Sequence, residues 1–307
     1  MTTVQFEPMG VGAILDRAFR IYRQNFVRFL AIVAIVEIPM MLVALLLTRV
    51  QVQAVSTGAE GQGPSPAVIL PTIFAGLVIM LVAQSLCGAT LMKSVSASYL
   101  GEQVTIVEAY KMIVPKILTL IGASIVVGLV VGVGMLLCLA PGIIFGLWYM
   151  LTTEVIVIEG TGAFKGMSRS KSLVSGNLGK VFVLGLVVGI LTWIISGGFG
   201  YVGALIAEWA VEVGDPEHVE AWRSSVMRAA VIRQFFARIG RILVMPIPAG
   251  AYILLYYDLR IRKEGFDLEM LARALGRPAP EPPTLTPAAE MPPRPMEAPS
   301  DDAFPEE

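Results

Sequence analysis

Between Lys116 and Glu154 no residue carries a charge: the run reads KILTLIGASIVVGLVVGVGMLLCLAPGIIFGLWYMLTTE. One bilayer span takes roughly 20 apolar residues, so this run is long enough for two. Ala140-Pro141-Gly142 interrupts it near the middle. Proline has no backbone N–H and disfavours the helical conformation in the residue before it, so the pattern predicts two transmembrane helices joined there by a tight turn. Other apolar stretches predict four more spans, at about 27–47, 68–92 (continuing as helix to Leu100), 181–205 and 242–257. Pro246 and Pro248 predict a kink in the last.

Residues 10–26 place Val11, Leu15, Ala18, Phe19, Tyr22 and Phe26 at helical spacing, with Asp16, Arg17, Arg20, Arg23 and Gln24 on the other side. That pattern predicts an amphipathic helix at the membrane surface, its apolar face sunk into the headgroup boundary. Residues 102–115 form a second such approach, and residues 159–180 a polar stretch with Lys165, Arg169, Lys171 and Lys180. An acidic loop (Glu208, Glu212, Asp215, Glu217, Glu220) then precedes an amphipathic basic helix at 222–241, expected at the outer surface.

A weak repeat links these segments. RAFRIYRQNFVRFLAIVAI aligns with RSKSLVSGNLGKVFVLGLV, placing Asn25 on Asn177 and Arg28 on Lys180. VEAYKMIVPKILTLIGASI follows more loosely, with Lys116 in the place of Arg28. The fold expected is an all-α integral membrane protein. It has six transmembrane helices with amphipathic interfacial helices, in three helix-plus-hairpin modules, with chance similarity of apolar segments as the rival reading. With the N-terminus inside, basic residues concentrate on the inner segments, which predicts both termini in the cytoplasm of a bacterial inner membrane. The arginines at 223–241 run against that bias. No signal-peptide pattern precedes the first span, so the N-terminus is expected to be retained.

Composition agrees: of 307 residues, 55% are hydrophobic, and mean hydropathy is +0.73, outside the soluble range. The formal net charge of −1 gives no field to recruit nucleic acid. Cys87 and Cys138 lie in apolar runs without a CxxC partner and read as packed thiols. With a single histidine, His218, neither a metal centre nor ordinary hydrolase chemistry is expected, and no cofactor. After Arg277 the chain turns proline-rich and acidic, which divides it into a membrane domain at 1–276 and a disordered cytoplasmic tail at 277–307. The tail is either a solvated segment or a docking site for a protein partner.

The costly residues are polar ones at lipid depth. Glu37 lies about ten residues into the first span, near the midplane, where an ionised carboxylate costs at least ~3 kcal/mol. It must face the bundle interior, find a donor or stay protonated. Glu154, toward the inner end of the fourth span, and Gln84 with Ser85, at similar depth in the second, complete a candidate intramembrane polar site of Glu37, Gln84 and Glu154. Such a site either handles a proton, cation or substrate or merely bonds helices together. The arginines at 223, 228, 233, 238 and 241 are candidates for anionic headgroups or for pairing with Glu208 and Glu212. Gly128xxxGly132, Gly185xxxGly189 and Gly197-Gly198-Phe199-Gly200 point to close helix packing.

The chain leaves its last span through Tyr256-Tyr257-Asp258-Leu259-Arg260-Ile261-Arg262-Lys263-Glu264-Gly265, continuing Phe266-Asp267-Leu268-Glu269. Upstream stand Pro141-Gly142, Val157 to Glu159, Arg169-Ser170, Leu173-Val174 and Gly176-Asn177. In that order these residues resemble a bacterial family named for the membrane domain of glycerophosphoryl diester phosphodiesterase. The resemblance covers about 141–269 and departs at Lys171, where the family usually has Trp, and at Leu178-Gly179-Lys180. It implies a membrane module without the soluble phosphodiesterase barrel, for which this chain has no room. Read physically, Tyr256 and Tyr257 suit a headgroup belt, and Asp258, Arg260 and Arg262 make a charged inner-interface anchor in which Asp258 pairs with a basic neighbour. The function expected is a non-enzymatic scaffold that contacts membrane lipids or a protein partner, with a transporter or permease-like module as the alternative.

Overall fold

The computed structural model describes residues 9–59, 66–102, 104–212 and 218–265. The tail at 277–307 and the end of the closing run at 266–269 lie outside them. The described chain is all helix: α1 (Val11–Gln24), α2 (Phe26–Ala59), α3 (Pro66–Leu100), α4 (Ile106–Ile113), a 3-10 turn (Val114–Lys116), α5 (Ile117–Leu137), α6 (Leu139–Tyr149), α7 (Thr152–Glu159), α8 (Ala163–Val174), α9 (Leu178–Ala210), α10 (Val219–Val244) and α11 (Pro246–Glu264). Six segments are long and apolar enough to cross a membrane: Phe26–Gln53, Ile69–Leu100, Ile106–Leu137, Leu139–Glu159, Leu178–Ala210 and Val219–Glu264. Apolar side chains crowd the outside, among them Val27, Leu118 and Leu136, as a hydrocarbon solvent permits.

Three units follow one another in the order expected from the repeat: a short helix, an outgoing helix and a returning one. Asn25 directly precedes α2 and Asn177 caps α9, so Arg28 and Lys180 are both third residues of their helices. Lys116 immediately precedes α5. α4 starts at a capping box, in which the Thr105 N–H donates to Glu108 Oε2 (2.8 Å) and the Glu108 N–H to Thr105 Oγ1 (3.3 Å).

The core gathers around α11. Ile253, Leu254, Leu255, Tyr256, Tyr257 and Asp258 are all buried in succession, which happens only to a helix enclosed on every side. α1 supplies one wall. Its buried residues are Ile14, Ala18 and Ile21, and a methyl added at Gly250 of α11 would lie 3.3 Å from Ala18 Cβ. The apolar face of α1 therefore packs on protein, not in the headgroup boundary as its pattern alone predicts. The described chain begins and ends on one side, called the base here, because the Met9 N–H donates to Asp258 Oδ1 at 2.6 Å.

Two helix breaks differ from the sequence reading, and a third falls at the kink expected from Pro246. The central hairpin turns at Cys138, which is extended at φ −170° and ψ 150°, and Pro141 lies within the first turn of α6. Proline is tolerated there because that N–H has no helical acceptor. Cys138 is consequently exposed and not packed, whereas Cys87 is buried. The fourth span breaks again between Tyr149 and Thr152, and Ser170 of α8 mends the gap: its hydroxyl donates to the Trp148 carbonyl (2.7 Å) and accepts from the Leu151 N–H (3.2 Å). Irregular backbone at membrane depth needs such partners. In the last span, α10 and α11 are separated only by Met245, before Pro246. The basic helix runs straight into the last span and packs along α2 and α9.

Glycines seat α10 on α9. A methyl at Gly203 would sit 2.7 Å from Phe236 Cβ, and one at Gly240 would sit 2.7 Å from Phe199 Cβ. Gly128, Gly132, Gly189, Gly197, Gly198 and Gly200 face open space in the chain, so the spaced glycines legible in sequence are mostly not where the helices of this chain touch. Gly240→Val is expected to destabilise the protein by about 1–3 kcal/mol through overpacking, whereas Gly128→Val costs nothing. Thermal unfolding of both variants in the same detergent checks the contrast.

Candidate functional site

Glu37 lies eleven residues along α2 from Phe26, roughly 16 Å at 1.5 Å per residue, and is fully buried. Arg238 Nη1 meets its Oε2 at 2.5 Å, and Arg241 Nε meets its Oε1 at 3.1 Å. Gln84 of α3 joins from the side: its Nε2 donates to Glu37 Oε1 (3.4 Å), and its Oε1 accepts from Arg241 Nη2 (2.6 Å). Arg238 and Arg241 are three residues apart on α10 and so share one face. The close fit at Gly240 brings that helix in, and the arginines follow.

This cluster contains two of the three residues expected from sequence and two that were placed elsewhere. Arg238 and Arg241 do not meet headgroups or Glu208 and Glu212. They are the counter-charges of Glu37. One carboxylate, two guanidiniums and one amide leave a net charge of +1, with each charged group paired. Desolvating such groups is expensive, and removing one partner of a buried pair costs about 3–5 kcal/mol.

Glu154 does not join them. It is buried on α7, and among the described residues neither its Oε2 nor the neighbouring Thr152 Oγ1 has a hydrogen-bond partner. A groove of about 390 Å³ between α5 and α6 runs past Ser124, Gly128, Tyr149, Thr152 and Thr153 but does not include Glu154. The three polar residues thus divide into a paired cluster and a lone carboxyl group.

The anchor residues at the base form a second polar layer, wired to three other helices and to the start of the described chain. Tyr256 Oη donates to Glu159 Oε1 of α7 (2.9 Å), and Tyr257 Oη shares a hydrogen bond with Ser96 Oγ of α3 (2.7 Å). Both tyrosines are buried, so they do not form a headgroup belt. Asp258, also fully buried, takes Lys180 of α9 and the Arg262 Nε (3.0 Å) in addition to the Met9 N–H. Lys180 Nζ also donates to the Met9 carbonyl at 2.5 Å. Arg260 Nε meets Glu264 Oε2 at 3.1 Å.

Two Glu-Gly pairs share one arginine. Gly160 (φ 69°) and Gly265 (φ 62°) end α7 and α11 in the left-handed conformation, which glycine adopts without strain. The glutamate before each, Glu159 and Glu264, accepts from Arg169 of α8 at 3.1 and 2.7 Å. Lys171, standing where the resembled family has Trp, places its Nζ 4.3 Å from the centre of the Trp148 ring. Sequence shows Arg169 as a basic residue of a polar stretch and Ser170 as part of a motif, and their partners lie in segments 10 to 95 residues away.

Among the described residues no three His, Cys, Asp or Glu side chains gather as metal ligands do. No family model, curated protein or solved structure matches the chain.

Glu37→Gln is expected to lower stability by about 3–5 kcal/mol, since it removes the fully buried carboxylate that two part-buried guanidiniums share as counter-ion. Glu154→Gln breaks no ion pair and is expected to change stability by less than about 1 kcal/mol. Thermal or denaturant unfolding in detergent separates the two; equal losses would contradict the assignment.

Proposed function

We propose that this chain is a non-enzymatic, multi-pass scaffold of the bacterial inner membrane that contacts lipids and a protein partner, with both termini in the cytoplasm. The observation that carries the reading is the double clamp on Glu37. A carboxylate held by two guanidiniums and fenced by an amide is a strut between α2, α3 and α10, not a group free to load and release an ion. Asp258 plays the same part at the base, where Lys180, Arg262 and the Met9 N–H hold it.

Orientation has its own support. Both described ends of the chain meet at the base, and exposed Arg20, Arg23, Lys165 and Lys171 lie on segments flanking it. A basic base is the side that stays in the cytoplasm. The outward face of α1 bears those arginines while its inward face is taken by α11, so α1 offers a charged surface to anionic lipid or to an acidic partner. The resemblance to the phosphodiesterase membrane-domain family fits a membrane module of this kind.

The second reading, a transporter or permease-like module, rests on Glu154, whose buried Oε2 lacks a hydrogen-bond partner among the described residues. Proteoliposomes decide between them. Under an imposed pH gradient or membrane potential, the wild type is expected to give no substrate or proton flux above that of empty vesicles. Flux that Glu154→Gln abolishes would establish the transporter instead. Deleting residues 278–307 is expected to change the proteins that co-purify with the chain, and an identical set would remove the tail as a docking segment.

A further inference from the structure

Arg28, third residue of α2, stands beside the stretch leading into α4 and lines a groove of about 470 Å³ with Val104, Thr105, Ile106 and Val107. Its Nη2 is shielded from solvent and has no hydrogen-bond partner among the described residues. A guanidinium is charged at every accessible pH and carries five donors in a planar fork. A buried charged donor without an acceptor is costly, so the position calls for an anion that the described residues do not provide.

The other two units show what such a position does when the protein supplies the acceptor. Lys180, the counterpart of Arg28 at the third residue of α9, is taken by Asp258 and the Met9 carbonyl. Lys116 donates to the Val157 carbonyl at 3.1 Å. Arg28 has neither kind of partner among the described residues. Thr105 does not compete for the anion, because its N–H and hydroxyl are already engaged by Glu108.

The surroundings select the anion. Val27, next to Arg28, is 78% exposed, and Val107, in the groove wall, is 61% exposed. Apolar surface therefore flanks the guanidinium where α2 begins, at the level where headgroups meet hydrocarbon. We propose that this groove binds a glycerophospholipid of the base-side leaflet. The phosphodiester accepts hydrogen bonds from Arg28, and an acyl chain lies against Val27 and Val107. The bidentate match of guanidinium to phosphate supplies the polar contact, and the apolar flank distinguishes a lipid from a soluble phosphate. The inference builds on the lipid-contacting scaffold reading and gives it a specific residue.

Native mass spectrometry of the full chain, delipidated in neutral detergent and titrated with phosphatidylglycerol, tests it. The wild type is expected to retain the lipid. Arg28→Gln is expected to weaken binding by roughly tenfold, Arg28→Lys to recover part of the loss, and Arg49→Gln, exposed toward the other end of α2, to behave as wild type. Lipid-free Arg28→Gln should unfold no lower than the wild type, because no hydrogen bond or ion pair among the described residues is lost. Equal binding by Arg28→Gln, equal retention of a diacylglycerol with the same chains, or displacement by glycerol phosphate at the lipid's concentration overturns the site while leaving the scaffold reading intact. A wild type that binds no lipid overturns both.

Discussion

Both oxygens of the Glu37 carboxylate lie on guanidiniums of α10, roughly halfway across the first span. A charge in hydrocarbon has nowhere to go but another charge, and this need accounts for the least apolar of the long helices. α10 carries Arg223, Arg228, Arg233, Arg238 and Arg241, and on its own it would favour the surface. With Glu37 and Gln84 waiting at mid-depth and Gly203 and Gly240 allowing contact with α9, it enters the bundle instead and merges with α11. The last membrane unit thereby reaches 46 residues.

At the base the same constraint works on α11. Four polar residues of its closing turns reach other parts of the chain: Tyr256 reaches α7, Tyr257 α3, Asp258 both α9 and the start of the described chain, and Glu264 α8. A helix buried all round would leave these groups unsatisfied, so every one of them is a connection. The three helix-plus-hairpin units share an order of elements, yet their equivalent basic residues do different work. Lys180 closes the Asp258 cluster, Lys116 bonds a carbonyl of α7, and Arg28 faces a groove.

Uncharged runs revealed the number of spans, and helical spacing revealed α1 with its arginines outward. The central turn shifted from Pro141 to Cys138, because a proline can open a returning helix as readily as it closes an outgoing one. The break before Thr152 left no trace in hydropathy: it is mended by Ser170, which lies about 20 residues on. Threading six spans with the N-terminus inside put α10 at the outer surface, against the bias of its own arginines, and the rule for loop charges takes no account of arginines that have acquired an internal partner. Depth alone grouped Glu154 with Gln84, but depth does not fix which way a helix faces. One signal for the cluster was present. A midplane glutamate requires a cation, and Arg238 and Arg241 share a helix face around a glycine that permits close approach.

The central claim is that Glu37 and the α10 arginines are one energetic unit holding α2 to the last span. A double-mutant cycle on unfolding free energy, with Glu37→Gln, Arg238→Gln and the combined variant, tests it most directly. The structure predicts that the double variant loses less stability than the two single losses added together, by more than about 1 kcal/mol. Simple additivity would mean that the carboxylate and the guanidinium do not depend on each other, and the clamp would fail as the organising feature of the fold.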